Sequence, residues 1–405
     1  MARLFARRGV KATIISTPLN APVFSKAVER DGQLGHDISI RIIKSPSAEA
    51  GLPEGCENLS SINSWDMHAN FLKAMGMLQQ PIEQLLEECH PHCLVADMTF
   101  TWATEVADKL RIPRLYFNGT YQIKTTRQQL AEYLKQTTEH EFTKMVNQIS
   151  ELEAGSYGVL VNSFHELEPA YCEHYRKVMG RKAWHIGPLS LCNRNIEDKA
   201  ERGRSLLEFP AAQLREIALA LEASGQNFIW VVRKGELRKH EDKEEWLPEG
   251  FERRMEGKGL IIRGWAPQVL ILDHNAVGGF MTHCGWNSTL EAVTAGVPLV
   301  TWPLYAEQFD NEKLITDVLK IGIGVGALEW SRYPKKILVR KDDMEKAIVQ
   351  LMVGEEAEEI RNRARELQEM ARNAMEEGGS SYSDLTALLE ELRALETSKR
   401  ESAAH

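Results

Sequence analysis

The sequence is poor in cysteine and has no pairing pattern among the cysteines it contains. Its 405 residues include six cysteines and no CxxC pair, which favours reduced, intracellular thiols over a disulfide framework. The cluster that begins at Cys89, continues through His90 and His92 and ends at Cys93 is similar to a metal site at first sight. Ligands packed so tightly would not converge tetrahedrally on one zinc ion, and no distant partner pair is present. We therefore expect no metal and interpret the cluster as a helix end that leads into a strand at Leu94.

Excess positive charge and long apolar runs are also absent. The net charge of -9 argues against nucleic-acid binding, which relies on basic patches that neutralise phosphates. No segment reaches the roughly 18 apolar residues of a membrane span, and the first nine residues are too few and too basic for a signal peptide. We expect a cytoplasmic protein without an integral membrane span. Its length suggests two or three domains of roughly 100–200 residues each.

What the sequence does contain is an alternation of short apolar runs with longer helical patterns. The predicted strands are Ala12–Ser16, Ile38–Ile43, Cys93–Ala96, Leu115–Phe117, Val159–Asn162, Ala183–Ile186, Phe228–Val232, Leu260–Arg263, Val277–Thr282 and Leu299–Thr301. The predicted helices are Ser64–Cys89, Thr101–Leu110, Phe142–Glu153, Glu166–Met179, Ala211–Ala223, Gln268–Leu272, Trp286–Ala295, Glu307–Leu319 and a helical tail, Asp342–Leu395, that Gly378-Gly379 divides. This alternation predicts an α/β protein with doubly wound parallel sheets, in which ligands bind beyond the carboxyl ends of the strands.

Composition divides the chain into four parts. Gly187-Pro188 ends the first series of strands, and the residues from Leu189 to Leu207 are polar and charged, as in an interdomain linker. We therefore predict an N-terminal domain over residues 1–186, a linker over 187–209, a C-terminal domain over 210–377 and a final helix over 378–405.

The most informative stretch is an apolar strand that breaks into a small-residue turn and then a helix. It reads Gly278-Gly279-Phe280-Met281-Thr282-His283-Cys284-Gly285-Trp286-Asn287-Ser288. A glycine turn at a helix start predicts an anion site, because exposed N–H groups and the helix dipole both favour negative charge. Asn287 and Ser288 are both good N-cap residues, and with His283 they would add side-chain donors. Glu291 follows about one turn later on the same face, where a carboxylate suits a ribose diol.

The 44 residues from Trp265 to Gln308 resemble the signature box of plant secondary-product UDP-glycosyltransferases. The matching blocks are Trp265-Ala266-Pro267-Gln268, His283-Cys284-Gly285-Trp286-Asn287-Ser288, Glu291, Pro303 and Glu307-Gln308. The resemblance extends over nearly the whole chain and includes Val95-Ala96-Asp97-Met98, Phe117-Asn118-Gly119-Thr120, Val161-Asn162-Ser163-Phe164 and His185-Ile186-Gly187-Pro188. It is strongest toward the branch of phenylpropanoid, flavonoid and hormone glucosyltransferases.

The resemblance implies a GT-B fold, in which two Rossmann-like domains face each other across a cleft. The N-terminal domain would bind the acceptor, the C-terminal domain the UDP-sugar, and the final helix would pack back on the N-terminal domain. Trp265 would stack on uracil and the Ala266 backbone would read its edge, while Gln268 and Glu291 would hold the ribose. The diphosphate and sugar would contact His283, Gly285, Trp286, Asn287, Ser288, Glu307 and Gln308. Glutamine at the last position implies UDP-glucose, and donors at a helix N-terminus can stabilise the leaving UDP without a metal or other cofactor.

The sequence departs from the family in its catalytic residues. Members invert the anomeric centre by means of a His that deprotonates the acceptor and an Asp that orients this His. Asp97 matches the Asp, although an Asp before a helix at Thr101 is also a common cap. The matching His is missing, since the first histidine is His36 and the residues from Met1 to Gly9 resemble the helix that follows the His-bearing loop.

Two further gaps interrupt the resemblance. The long acceptor-lining segment that should follow Thr120 is absent, and between Arg204 and Ala211 the family has a helix, a buried strand and a Gly-Ser loop. Loss of a central strand leaves unpaired sheet edges on its neighbours. The gaps are typical of an incomplete gene model, a splice product or a pseudogene.

Three functions are consistent with the alternating architecture. The first is an inverting UDP-glucose-dependent O-glucosyltransferase of small lipophilic acceptors (flavonoids, phenylpropanoids, hormones or terpenoids), impaired here by the missing His. The second is a catalytically silent UDP-sugar-binding or interaction protein. The third, a nicotinamide-dependent dehydrogenase, is disfavoured because no G-x-G-x-x-G is followed by an acidic residue about 20 positions later.

Overall fold

The computed structural model describes residues 1–62, 64–118, 151–192, 196–200, 209–232, 246–331 and 338–403. Its strands are β1 Ala12–Ser16, β2 Ile38–Ile42, β3 Leu94–Ala96, β4 Arg114–Asn118, β5 Gly158–Val161, β6 Ala183–His185, β7 Phe228–Val232, β8 Gly259–Arg263, β9 Phe280–Thr282, β10 Leu299–Thr301 and β11 Gly322–Gly324. Its α-helices include Ala2–Ala6, Pro22–Gln33, Trp65–Met77, Gln79–Cys89, Ala103–Lys109, Pro169–Glu173, Ile196–Ala200, Ala211–Ala223, Phe251–Arg254, Gln268–Leu272, Trp286–Ala295, Gln308–Lys313, Lys341–Val353, Ala357–Met375 and Ser380–Ala403.

The chain forms two compact units. The first contains the described residues of 1–118 and 151–192 together with 377–403, and the second contains those of 196–376. Leu189–Cys192, which lies within the predicted linker, forms a 3-10 turn of the first unit in which Leu189, Ser190 and Cys192 are buried. The Leu189 N–H anchors this turn to the Asn162 side-chain oxygen at 2.9 Å.

In the first unit, β1 pairs with β2, and β3, β4, β5 and β6 form a separate four-stranded sheet. All of these pairings are parallel. A core that includes Phe71, Leu86 and Trp102 lies beside both sheets, because Ile15 of β1 and Leu94 of β3 pack against it. The predicted doubly wound α/β architecture is thus confirmed in its parallel strands.

The final helix, Ser380–Ala403, lies in the first unit and packs along β6. Asp384 accepts a hydrogen bond from the backbone N–H of His185 at 2.8 Å and pairs with the Arg176 guanidinium. The hydroxyl of Ser381 donates to the carbonyl oxygen of Gly187 at 2.6 Å. These contacts attach the C-terminal segment to the end of β6.

In the second unit, β7 pairs with β8, and β9, β10 and β11 form a three-stranded parallel sheet. One hydrophobic core includes residues from both sheets, among them Val232 of β7 and Val300 of β10. It also includes Ile217, Met344 and Ile348 from the helices Ala211–Ala223 and Lys341–Val353, which contact one another.

Several predicted elements differ from the structure. The predicted helix Ser64–Cys89 is two helices that meet at Leu78, because Pro81 in the next turn has no N–H to continue the ladder. The predicted helix Glu307–Leu319 ends at Lys313 and continues as a π-helical turn over Leu314–Val318, and Glu166–Met179 likewise contains a π-helical turn, His174–Val178. The predicted strand Val277–Thr282 is shorter and begins at Phe280. Residues 142–150 of the predicted helix Phe142–Glu153 lie outside the described residues.

Candidate functional site

The anion site predicted from the sequence lies where β9 ends and the helix Trp286–Ala295 begins. The N-cap of this helix is Gly285, so Asn287 and Ser288 lie inside its first turn and are not caps as predicted. A Cβ at Gly285 would lie 2.5 Å from Nε2 of His283, so any larger residue at the cap displaces the imidazole. Cys284 adopts the left-handed region, with φ of 64°, which turns the chain sharply between strand and helix.

His283 stands at this turn as a neutral side chain. Burial lowers its pKa to about 4, so the imidazole carries no charge at neutral pH and has one N–H to donate. Asn311 stabilises the turn that contains His283, because its Nδ2 donates a hydrogen bond to the carbonyl oxygen of Cys284 at 2.8 Å. Asn311 is buried. The sequence did not predict this contact, because the position of Asn311 in the chain does not show which turn its side-chain amide will reach.

Three of the predicted residues form one hydrogen-bonded group beside the helix. Gln268 Nε2 donates to Oε2 of Glu291 at 2.7 Å and to Oγ of Ser288 at 3.3 Å. The residues come from two helices, Gln268–Leu272 and Trp286–Ala295, that contact one another. Glu291 is 9% exposed, so the group presents a fixed carboxylate at a largely buried position.

An exposed aromatic side chain precedes the helix Gln268–Leu272. Trp265 is 49% exposed, whereas the next residue, Ala266, is buried. If a flat ligand ring stacked on this exposed indole, both rings would remove apolar surface from water, which favours binding. Ala266 can offer a ligand only its backbone groups.

Glu307 and Gln308 begin the helix that follows β10. Burial raises the pKa of Glu307, and hydrogen bonds from the backbone N–H groups of Glu307 itself and Trp286 oppose that shift. Oε1 of Gln308 accepts from the N–H groups of Leu304 and Tyr305, at 2.9 and 3.1 Å. Trp286 is buried. The structure thus brings Glu307 to the first turn of the helix that starts at Trp286.

Two more carboxylates, in the helix Gln308–Lys313, have raised pKa values. Burial raises the pKa of Asp310 to about 6 and that of Glu312 to about 7. Glu312 accepts a hydrogen bond from the Thr301 hydroxyl at 2.7 Å, which ties the helix to the end of β10. At neutral pH Glu312 therefore carries only part of a negative charge, whereas Asp310 is still mostly ionised.

Asp97 lies in the first unit, directly after β3. Its Oδ1 accepts hydrogen bonds from the backbone N–H and the hydroxyl of Thr99, at 2.8 and 2.6 Å. The following helix begins at Ala103 with Trp102 as its N-cap, so Asp97 caps a turn and not the helix. His36 precedes β2 and hydrogen bonds through its backbone to Asp31, and no contact joins it to Asp97 among the described residues.

The described residues contain no cluster of three or more His, Cys, Asp or Glu side chains arranged to hold a metal ion. Cys89 is exposed, whereas burial raises the pKa of Cys93 to about 11. His92 Nε2 lies 3.1 Å from a carboxylate oxygen of Glu396 in the final helix. Within the same part of the chain, every helix is too short or too polar to cross a lipid bilayer.

Comparison with known proteins gives consistent matches. The family model for UDP-glucuronosyl and UDP-glucosyl transferases matches residues 203–351. Scopoletin glucosyltransferase from Nicotiana tabacum is 51% identical over 452 positions, covering 97% of this chain and 94% of its own length. UDP-glucose flavonoid 3-O-glucosyltransferase 7 from Fragaria ananassa is 50% identical and covers 98% of this chain and 93% of its own. The crystal structure of Glycyrrhiza uralensis UGT73P12, complexed with glycyrrhetinic acid 3-O-monoglucuronide, has a TM-score of 0.89 at 36% identity, over 100% of this chain and 94% of that one.

The alignment with the tobacco protein is longer than the part of this chain that it covers. It spans 452 positions, whereas 97% of 405 residues is about 393, so about 59 positions of the relative have no counterpart here. These positions lie inside the aligned range. The aligned range of this chain is therefore shorter than that of the tobacco relative.

Proposed function

Because this chain belongs to the plant UDP-glycosyltransferases and shares their GT-B fold, we propose that it binds UDP-glucose and transfers glucose to a hydroxyl of a small lipophilic acceptor. The observation that carries the proposal is the strand–turn–helix at His283–Trp286 with the Gln268–Glu291 pair beside it. This arrangement has positive potential at the helix N-terminus and a fixed carboxylate about one turn away, which matches a diphosphate joined to a ribose.

In the proposed complex the second unit binds the donor. The uracil ring stacks on Trp265 and hydrogen bonds to the backbone of Ala266. The ribose hydroxyls donate to Glu291, which Gln268 orients by its 2.7 Å hydrogen bond. Carboxylates accept hydrogen bonds from vicinal hydroxyls strongly, because the acceptor is charged.

The diphosphate lies at the N-terminus of the helix Trp286–Ala295, near Gly285. His283, Asn287 and Ser288 donate to its oxygens, and the helix dipole stabilises the charge that grows on UDP as the glycosidic bond breaks. A neutral His283 suits this role, since its pKa of about 4 keeps it a hydrogen-bond donor that never takes a proton from the reaction at neutral pH. The chain's own groups thus supply what a metal would otherwise supply, and we propose no cofactor.

The sugar lies near Glu307 and Gln308, at the start of the next helix. Gln308 is anchored through its Oε1 to two backbone N–H groups, which orients its Nε2 group as the donor. A glucose hydroxyl is the ligand we propose for this amide, and Glu307 and Trp286 complete the sugar subsite. The resemblance to family members with glutamine at this position, and the UDP-glucose in the name of the Fragaria relative, support UDP-glucose as the donor.

The transfer itself inverts the anomeric carbon. The acceptor oxygen attacks C1 from the face opposite UDP, its proton passes to a general base, and the C1–O bond to the diphosphate breaks. Asp97, at the end of β3 in the first unit, is the residue we propose to orient and charge that base. A general base of this kind contributes roughly 10²–10⁴-fold to the rate.

The acceptor class follows from the names of the relatives. One acts on scopoletin and another on flavonoids at a 3-hydroxyl, so we propose a phenolic or similar small hydroxyl as acceptor and the first unit as its binding domain. A cytosolic location is also proposed, supported by the free thiols of the six cysteines, all of which lie in the described residues.

A mass-spectrometric assay tests the proposal. Purified protein is incubated with UDP-glucose and a panel of coumarins, flavonols and plant hormones, and the glucosides are measured. We expect slow product formation that disappears in Glu291→Gln and persists in Glu366→Gln, an exposed carboxylate on another helix of the second unit. Absence of product with saturable UDP binding would favour the alternative, a catalytically silent UDP-sugar binder.

A further inference from the structure

The turn between β9 and the helix Trp286–Ala295 contains a residue that is poorly suited to its backbone conformation. Cys284 has a φ of 64°, in the left-handed region, and is fully buried. An L residue loses free energy there because its Cβ approaches the following carbonyl oxygen, whereas glycine loses none. The turn therefore needs a contact that stabilises Cys284 in this conformation.

Asn311 makes a contact of this kind. Its Nδ2 donates to the carbonyl oxygen of Cys284 at 2.8 Å, and both residues are buried. A buried carbonyl oxygen without a partner costs at least as much free energy as an L residue loses in the left-handed region. This one hydrogen bond is therefore strong enough to hold the conformation. The thiol of Cys284 also donates to the Thr282 carbonyl oxygen at 3.5 Å, but a thiol is a weak donor.

The same hydrogen bond sets the direction of the next N–H group. The peptide bond between Cys284 and Gly285 is planar and trans, so its C=O and N–H groups point in opposite directions. Because the C=O group points toward Asn311, the N–H group of Gly285 points away from that side chain. Gly285 is the N-cap of the helix Trp286–Ala295, and N–H groups at a helix start bind anions. Rotation of this peptide plane would redirect an N–H group at the proposed diphosphate site.

Asn311 is itself attached to the sheet that carries the turn. Its helix, Gln308–Lys313, follows β10, and Glu312 of this helix accepts a hydrogen bond from the Thr301 hydroxyl at 2.7 Å. Thr301 ends β10 and pairs in register with Thr282, which ends β9 two residues before the acceptor carbonyl. The donor and the acceptor of the hydrogen bond are thus attached to neighbouring strands, so the sheet fixes their separation.

We propose that Asn311 is a positioning residue for the donor diphosphate, which holds Cys284 in the left-handed conformation and thereby directs the Gly285 N–H group to a phosphate oxygen. Asn311 does not touch UDP in this proposal and acts only through the turn. The inference rests on the proposed UDP-binding function. It adds to the site a residue that the signature box, which ends at Gln308, does not include.

Calorimetric titration with UDP measures the effect of the side-chain amide. Asn311→Ala should weaken UDP binding at least about tenfold, or about 1.4 kcal/mol, because the turn relaxes from the left-handed conformation. Asn362→Ala, which removes an exposed amide from the helix Ala357–Met375, should leave the affinity unchanged. If Asn311→Ala does not fold, Asn311→Leu replaces it, because leucine has the same branching and no donor. Unchanged UDP affinity in the folded Asn311 variant would overturn the proposal.

Substitution of Cys284 shows whether Asn311 acts through the backbone conformation. Glycine has no penalty in the left-handed region, so in Cys284→Gly the loss caused by Asn311→Ala should shrink to less than about threefold. Cys284→Ala is the matched control, because it also removes the thiol but keeps the Cβ, and there the loss should remain at least about tenfold. A purely structural role would lower stability without this difference in UDP affinity. An equal loss in the alanine and glycine variants would overturn the proposal.

Amide hydrogen exchange without UDP separates this inference from the proposed function. The N–H group of Thr289 donates to the Gly285 carbonyl oxygen at 3.0 Å, so exchange in the first turn of the helix reports the shape of the turn before it. Asn311→Ala should speed this exchange at least about tenfold, and added Cys284→Gly should reverse most of the increase. This pattern in a chain that binds no UDP would contradict the proposed function and support the role of Asn311 in the turn. Unchanged exchange in Asn311→Ala would overturn the inference whether or not the chain binds UDP.

Discussion

At the scale of single residues, the contact between Gly285 and His283 controls the geometry of the donor site. An alanine at 285 would place its Cβ 2.5 Å from the imidazole Nε2, so the ring has to move. The backbone itself tolerates alanine, because its φ of -60° is ordinary. We expect Gly285→Ala to weaken UDP binding at least about tenfold, which is the loss of one good hydrogen bond, as measured by calorimetry.

Gly32→Ala is the matched substitution for this prediction. Gly32 lies in the helix Pro22–Gln33, and nothing lies within 4 Å of an added Cβ. Alanine there should leave UDP binding unchanged and stabilise the helix slightly. Equal UDP affinity in Gly285→Ala and the parent chain would show that the His283–Gly285 contact does not shape the site.

The lowered pKa of His283 makes stability depend on pH in a defined window. Unfolded histidine titrates near 6.5, whereas His283 in the fold titrates at about 4 because of burial. The unfolded state therefore binds the proton first, so the contribution of His283 is intact above about pH 6.5 and is lost as the pH falls toward 4.

The thermal midpoints of the parent chain and His283→Gln should therefore converge between pH 6.5 and pH 4. The comparison is needed because Glu312, whose pKa burial raises to about 7, acts in the opposite direction over part of this range. A difference in midpoint that stays constant with pH would contradict the assigned pKa.

At the scale of elements, the final helix is attached to β6 through Asp384. Burial alone would raise the pKa of Asp384, but hydrogen bonds from His185 and the charge of Arg176 hold it below its usual value. We expect Asp384→Asn to destabilise the first unit by about 2 kcal/mol, the usual loss when a charged hydrogen-bond acceptor is removed. Proteolysis should then cut the helix Ser380–Ala403 sooner.

Glu390→Gln is the control on the same helix, since Glu390 is exposed. The contribution of Asp384 should be present at neutral pH and disappear as the pH falls through its lowered pKa. Identical protease sensitivity of the Asp384 and Glu390 variants would show that the helix is held by its apolar face alone.

The elements best predicted from the sequence are those with apolar runs between clear turn signals. The strands Ala12–Ser16, Phe228–Val232 and Leu299–Thr301 have the same bounds in the structure. Gly322–Gly324 was missed, because two of its three residues are glycines and show no side-chain pattern. The Gln268–Glu291 hydrogen bond joins residues 23 apart in sequence. The resemblance grouped these residues, but only the packing of two helices shows that they touch.

At the scale of the whole molecule, the two units follow the same plan of parallel strands covered by helices. Among the described residues, each unit has its parallel strands in two separate sheets. In the second unit one hydrophobic core includes residues of both sheets, among them Val232 of β7 and Val300 of β10. The turn, the helix N-terminus and the carboxylate of the proposed donor site all lie in the second unit.

The most direct test of this account is a calorimetric titration of the folded 405-residue chain with UDP. The account predicts saturable binding of one UDP per chain. In Glu291→Gln the affinity should fall about 10- to 150-fold, as for loss of a hydrogen bond to a charged group. In Glu366→Gln it should be unchanged. No heat of binding from protein whose circular dichroism and cooperative melting show it to be folded would contradict the account.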